Sequence, residues 1–128
     1  MRPETAEWVE KAENDYRAMC REGEVTDAPS YDVVCFLAQQ CGENYLKALL
    51  TEADIPFAKT HDLSLLARLQ PGTSACPGLG ESLARLAPCA IEFRYPGASA
   101  DRTLADDASE DAGDVRAWAR QALHLDEA

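Results

Sequence analysis

The chain has 128 residues, 46% hydrophobic content and a formal charge of −11, which suits one domain around a single core. A sequence pI near 4.5 argues against a broad basic groove for nucleic acid, because binding by counterion release needs clustered Lys and Arg. It leaves room for a small pocket that holds one nucleotide with a few cations.

The opening Met-Arg-Pro-Glu is polar and does not resemble a signal peptide. No apolar run approaches the roughly 18 residues of a membrane span. The expectation is a soluble, cytoplasmic protein with no membrane contact. Five cysteines (Cys20, Cys35, Cys41, Cys76 and Cys89) form no C-x-x-C pair. Cys35, Cys41 and Cys89 lie in apolar surroundings and read as small buried hydrophobes, without metal and without a disulfide framework.

Residues 3–22 read as a first helix, opened by Pro3 and stopped near Gly23, with Trp8, Ala12, Asp15 and Met19 on one stripe. Gly23 to Ser30 is a loop by composition. A second, long helix spans Tyr31 to Ala53 and ends at Asp54-Ile55-Pro56, since a residue before proline is pushed out of helical geometry. Thr60 or Asp62 can cap a short third helix whose buried side is Leu63, Leu66 and Leu69. Gln70-Pro71-Gly72 breaks it, and a loop runs to Cys76-Pro77-Gly78. Leu79, Leu83, Leu86 and Ile91 then mark a fourth helix to about Phe93, kinked or split at Pro88. Arg94-Tyr95-Pro96-Gly97 is a turn or extended exit.

Thr103 can cap the last helix. The acids Asp101, Asp106, Asp107, Glu110, Asp111 and Asp114 read as a solvated helix start, with Arg116, Arg120 and His124 toward the other end. Its inner face is Leu104, Ala108, Ala112, Val115, Ala119 and Ala122, small enough for close approach of a neighbouring helix or a second subunit. No strand is expected. The fold class is all-α: one domain over 1–128, an up-and-down bundle of four to five helices.

The second helix carries the most informative pattern. At about 100° per residue, Phe36, Gln40, Glu43 and Lys47 fall within roughly 60° of one another. This polar line borders an apolar face and must either pair internally or present its groups to something. Lys47, one of the chain's three lysines, is a phosphate candidate; its alternative is an exposed salt bridge to Glu43 four residues earlier. Gln40 suits a hydrogen bond across a helix pair or a dimer interface. An acid at Asp15 is expected to pair with Lys47, Lys59 or Arg94. His61 can donate to a phosphate or exchange protons near neutral pH; otherwise it caps the short helix or bonds a carbonyl. Arg94 and Tyr95 can hold a phosphate and stack on a base; otherwise they satisfy helix-end carbonyls and fill the core edge. Trp8 and Trp118 read as core or interface anchors.

The motifs fall in a definite order. Trp8-x2-Lys11-Ala12-Glu13-x-Asp15-Tyr16 comes first, then Phe36-x2-Gln39-Gln40-x2-Glu43-x-Tyr45-Leu46-Lys47-Ala48-Leu49-Leu50. Lys59-Thr60-His61-Asp62-Leu63 and Arg94-Tyr95-Pro96 follow. This order resembles the small members of the HEPN family over nearly the whole chain. The resemblance implies a helical bundle that commonly forms homodimers, a minimal nucleotidyltransferase encoded beside it, and toxin–antitoxin behaviour of the pair. It also implies nucleotide binding, with Gln40, Glu43, Lys47, Lys59, His61, Arg94 and Tyr95 as the candidate residues and no cofactor. Many branches of the family are metal-independent ribonucleases with an Arg-x4–6-His motif. Here Arg94 has no histidine in range, and neither Arg116 nor Arg120 stands at the required distance from His124. The expectation therefore leans away from an enzyme, toward a nucleotide-binding or partner-binding module. A divergent ribonuclease using His61 and Arg94 is the alternative, and a ligand-free helical adaptor is a third.

Overall fold

Pro3 opens the first helix, α1 (Pro3–Gly23), in a computed structural model that describes residues 1–71 and 78–126. Proline suits this place because the first turn has no intrahelical use for its missing N–H. The second helix, α2 (Tyr31–Glu52), is capped by Ser30, whose hydroxyl accepts from the Val33 N–H at 3.3 Å. Asp54 follows it at φ 58°, a left-handed residue that turns the chain toward Pro56. The short α3 (Leu63–Arg68) is capped by Asp62 rather than Thr60, the carboxylate accepting from Leu65 N–H at 3.1 Å. Next comes α4 (Leu79–Leu86), and α5 (Arg102–Ala122) completes the set.

Pro88 splits the expected fourth helix. The α-helical part ends at Leu86, and the chain continues through 3-10 turns at Ala87–Ala90 and Glu92–Arg94. Tyr95 is extended before Pro96, with φ −121° and ψ 153°. In α5 the cap is Asp101, not Thr103: its carboxylate accepts from Leu104 N–H at 2.8 Å. The expected loop around Cys76 lies in 72–77, outside the described residues.

Cross-links between helices give the topology. Arg2 donates to the Thr51 carbonyl at 2.6 Å and Thr5 to Glu52 at 2.9 Å, so α1 runs antiparallel to α2. Asp32 accepts from Ala100 N–H at the start of α5, whereas Tyr45 meets Arg120 near its end, so α2 and α5 run the same way. Arg85 on α4 meets Asp111 on α5, and Leu79 lines the same cavity as Trp118, which makes these two antiparallel. The result is an up-and-down helical bundle with α2 at its centre; α2 contributes thirteen buried residues. No helix among the described residues is long and apolar enough to cross a membrane.

The core contains Met19, Val34, Leu46, Leu50, Leu63, Leu66, Leu86 and Val115. Four expected core positions fall outside it. Leu69, Ile91 and Leu104 are exposed, as is Ala122, while Ala105 takes the inward place on α5. Asp111 departs from the solvated acidic run: it is 5% exposed and held bidentately by Arg85 at 2.8 and 2.9 Å.

Gly42 lies on the buried face of α2. A methyl added there would meet Leu86 Cδ1 at 3.5 Å and Leu63 Cδ1 at 4.0 Å, ordinary contact distances. Alanine avoids the entropy that glycine loses in a helix, a difference of about 1 kcal/mol. Gly42→Ala is expected to raise the unfolding free energy by up to about 1 kcal/mol in a urea titration. A loss of stability would mean that the core around Leu86 cannot accommodate the methyl.

Candidate functional site

Helix α2 carries the polar line into the bundle. Glu43 is 2% exposed and Lys47 6%, so their salt bridge, at 3.0 Å between Nζ and Oε2, is buried and not the exposed pair that the spacing suggested. The spacing does deliver the pairing: four residues on a helix put the carboxylate before the ammonium in the favourable order. The Lys47 ammonium also sits 5.2 Å from the Trp8 ring centroid, a cation–π contact supplied by α1. Trp8 in turn packs at a tilt on Phe57, with ring centroids 6.3 Å apart.

His61 reaches the same carboxylate from the connector before α3. Its Nδ1 lies 3.1 Å from Oε1 and 3.2 Å from Oε2 of Glu43. It therefore neither caps α3 nor bonds a carbonyl through its ring. A carboxylate only accepts, so the proton between them sits on Nδ1 when Glu43 is ionised. That fixes the ring with Nε2 directed away from Glu43. The His61 side chain is 77% exposed although its partner is buried, so the Nε2 edge is available at the surface.

Gln39, part of the motif order but not among the candidate site residues, completes the setting. Fully buried, it donates from Nε2 to Glu43 at 3.3 Å and to the His61 carbonyl at 3.4 Å, and it accepts from Gln40 at 3.0 Å. Gln40 thus bonds within its own helix rather than across an interface of the chain. The signal for Gln39 was its spacing, since it stands four residues before Glu43 and eight before Lys47 on the same side of α2. No buried side-chain polar atom among the described residues lacks a hydrogen-bond partner.

Asp15 does not pair with Lys47, Lys59 or Arg94. Asn44 Nδ2 donates to it at 2.8 Å. Burial holds its carboxyl above the ordinary range; the Asn44 bond opposes that shift and the nearby Glu43 charge adds to it. Lys59 is exposed near His61 in sequence. Arg94 is placed elsewhere, with its guanidinium 5.8 Å from the Phe36 ring centroid. It has no hydrogen bond to Glu43 or His61, so the structure unites Gln40, Glu43, Lys47 and His61 but leaves Arg94 at the start of the line. Tyr95 is 67% exposed and does not fill the core edge.

A second polar knot ties α1, α2 and α5 together. Arg116 grips Glu13 with Nε and Nη2 at 2.7 and 2.9 Å, Arg120 approaches it at 3.6 Å, and Tyr45 donates its hydroxyl to it. The Arg116 bond, aided by Tyr45 and the two guanidinium charges and opposed by desolvation, lowers the Glu13 pKa to about 2. Arg116 and Arg120 are therefore bound to an acid as well as placed along the helix dipole. Among the described residues, no group of three or more His, Cys, Asp or Glu side chains is arranged to hold a metal ion.

Comparison with known proteins gives consistent results. A family model described as HEPN domain matches residues 5–122. Among solved structures, TT1696 from Thermus thermophilus superposes with a TM-score of 0.77 at 24% identity, covering 91% of this chain and 96% of that one. ST0689, an archaeal HEPN homologue, gives a TM-score of 0.74 at 22% identity, with 91% and 95% covered. At these identities the two structures share the fold. No curated protein matches the chain.

Proposed function

The chain belongs to the HEPN family, and from that premise we propose that it acts by binding rather than cleaving. It is a helical module that docks a nucleotide phosphate at the exposed edge of His61 and works with a separately encoded minimal nucleotidyltransferase, as a homodimer and in a toxin–antitoxin-like pair. The observation that carries the reading is the buried Glu43 carboxylate holding both Lys47 and His61. Lys47 is committed to that carboxylate and to the Trp8 face, so it sets the local charge rather than reaching a ligand. His61 Nε2 supplies the contact with a phosphate oxygen, the exposed Lys59 supplies a cation two residues earlier, and Gln40 stands at the rim. Arg94 and Tyr95 contribute if the ligand or a second subunit extends along α2 past Phe36.

The family's Arg-x4–6-His nuclease motif is missing from this chain, which favours binding. Calorimetric titration with ATP, GTP and their diphosphates tests the reading. Saturable heat is expected for at least one of them, with His61→Ala weakening affinity about tenfold, the value of one lost charge-assisted hydrogen bond. An absence of heat, with thermal stability unchanged at saturating nucleotide, would overturn it.

One observation favours a second reading. A histidine whose Nδ1 is held by a carboxylate is oriented for general acid–base work. Paired with Arg94 of a second subunit, it would suit a metal-independent ribonuclease. RNA cleavage abolished by His61→Ala would establish that reading, and cleavage indifferent to the substitution would dismiss it.

A further inference from the structure

Two cysteines that the nucleotide reading does not use meet at the floor of a separate cavity. Cys35 projects from α2, and Cys89 sits in the Ala87–Ala90 turn that Pro88 creates. Both are buried in the same core cluster, at 1% and 8% exposure, and each thiol lies close enough to shift the protonation of the other. Both also line a cavity of about 480 Å³ between the 3-10 turns and α5, walled by Phe93, Leu104 and Ala108. Cys89 borders a second, smaller cavity beside Phe36 and Arg94. A small solute thus has a path to a pair of sulfurs that the rest of the core shields.

We propose that Cys35 and Cys89 form an oxidative modification site, a dithiol that closes to a disulfide when hydrogen peroxide enters the cavity. Access assigns the roles. Cys89 is the more exposed of the two and borders both cavities, whereas Cys35 is 1% exposed and lines one; the neighbouring Cys35 thiol also lowers the Cys89 pKa, with burial opposing that shift. Cys89 is accordingly the first nucleophile. Its thiolate attacks one peroxide oxygen, the O–O bond breaks, and Cys89 becomes a sulfenic acid while the departing oxygen leaves as water after protonation. The Cys35 sulfur then attacks the sulfenic sulfur, the S–O bond breaks and a second water leaves, carrying away the Cys35 proton. Two electrons pass from the sulfurs to the peroxide, which ends as water. A thiol reductant reverses the couple by exchange.

Closure ties the Ala87–Ala90 turn to α2 at the residue next to Phe36, on which Arg94 rests. Oxidation therefore clamps the Arg94 segment to the helix that carries Glu43. This inference stands apart from the nucleotide reading.

The test is brief exposure of the folded protein to hydrogen peroxide, alkylation of the remaining thiols, proteolysis and mass spectrometry. The expected product is a Cys35–Cys89 linked peptide pair, lost on treatment with dithiothreitol, undiminished in Cys20→Ala and missing from Cys89→Ala. Should Cys89→Ala fail to fold, the linked pair in the wild-type digest decides the matter alone. Oxidation confined to the exposed Cys20, with Cys35 and Cys89 both recovered as alkylated thiols after unfolding, would overturn the proposal.

Discussion

Replacing Glu43 with alanine is expected to destabilise the protein by about 3–5 kcal/mol, the largest effect of any single polar substitution here. The reason is what would remain behind. Lys47 is 6% exposed and Gln39 fully buried, and both donate to the Glu43 carboxylate at 3.0 and 3.3 Å. Without that carboxylate the ammonium keeps, among the described residues, the Trp8 ring alone, and a buried unpaired charge is costly. Urea unfolding of Glu43→Ala would measure the loss. Two companion variants separate charge from packing. Glu43→Gln keeps an acceptor for Lys47 and should lose less. The double variant Glu43→Leu with Lys47→Met removes both charges and should recover most of the stability, since a buried ion pair is often matched by apolar residues of similar volume. A Glu43→Ala change within about 0.5 kcal/mol of wild type, the range of ordinary surface substitutions, would show that Lys47 swings out to solvent.

The second large effect is a dependence on acid. Glu13 has a folded pKa of about 2 against an ordinary 4.5. The folded state therefore binds fewer protons than the unfolded chain between those values. Its contribution to stability is complete above pH 4.5 and is lost as the pH falls through that window to 2. Glu13→Gln should flatten the fall in unfolding free energy across the same window and cost about 2 kcal/mol at neutral pH, because Arg116, Arg120 and Tyr45 lose an ionised acceptor. Asp15 acts with the opposite sign. Its folded pKa is raised by burial, so it gains a proton more readily in the folded state and partly offsets the Glu13 loss on acidification. Unfolding curves that run parallel for wild type and Glu13→Gln below pH 4.5 would contradict the assigned role.

Much of the architecture was legible because punctuation and period are local properties. Pro3, the loop to Ser30, Pro56 and Pro88 bound the helices where the spacing placed them, and Asp62 caps α3 as one of two expected residues. The period of α2 likewise revealed Glu43 before Lys47. What a single helix cannot report is which neighbour faces it. His61 finds Glu43 from 18 positions away, and Arg116 finds Glu13 across 103; both depend on how two elements are rotated against each other. The same cause explains Asp15, which has Asn44 beside it where a cation was expected. Leu104 and Ala105 show the limit on α5: a turn of one position exchanges which of two apolar neighbours is inside. In a chain so rich in alanine there, periodicity left the face poorly determined.

The central claim, that a buried carboxylate aims the His61 edge at a nucleotide phosphate, is open to one direct measurement. The chain has two histidines, His61 and His124, so the imidazole signals in an NMR spectrum divide cleanly between site and helix end. On titration with ATP or GTP the His61 ring signals are expected to shift progressively to saturation, while those of His124 stay in place. His61 signals that do not move at millimolar nucleotide would contradict the account.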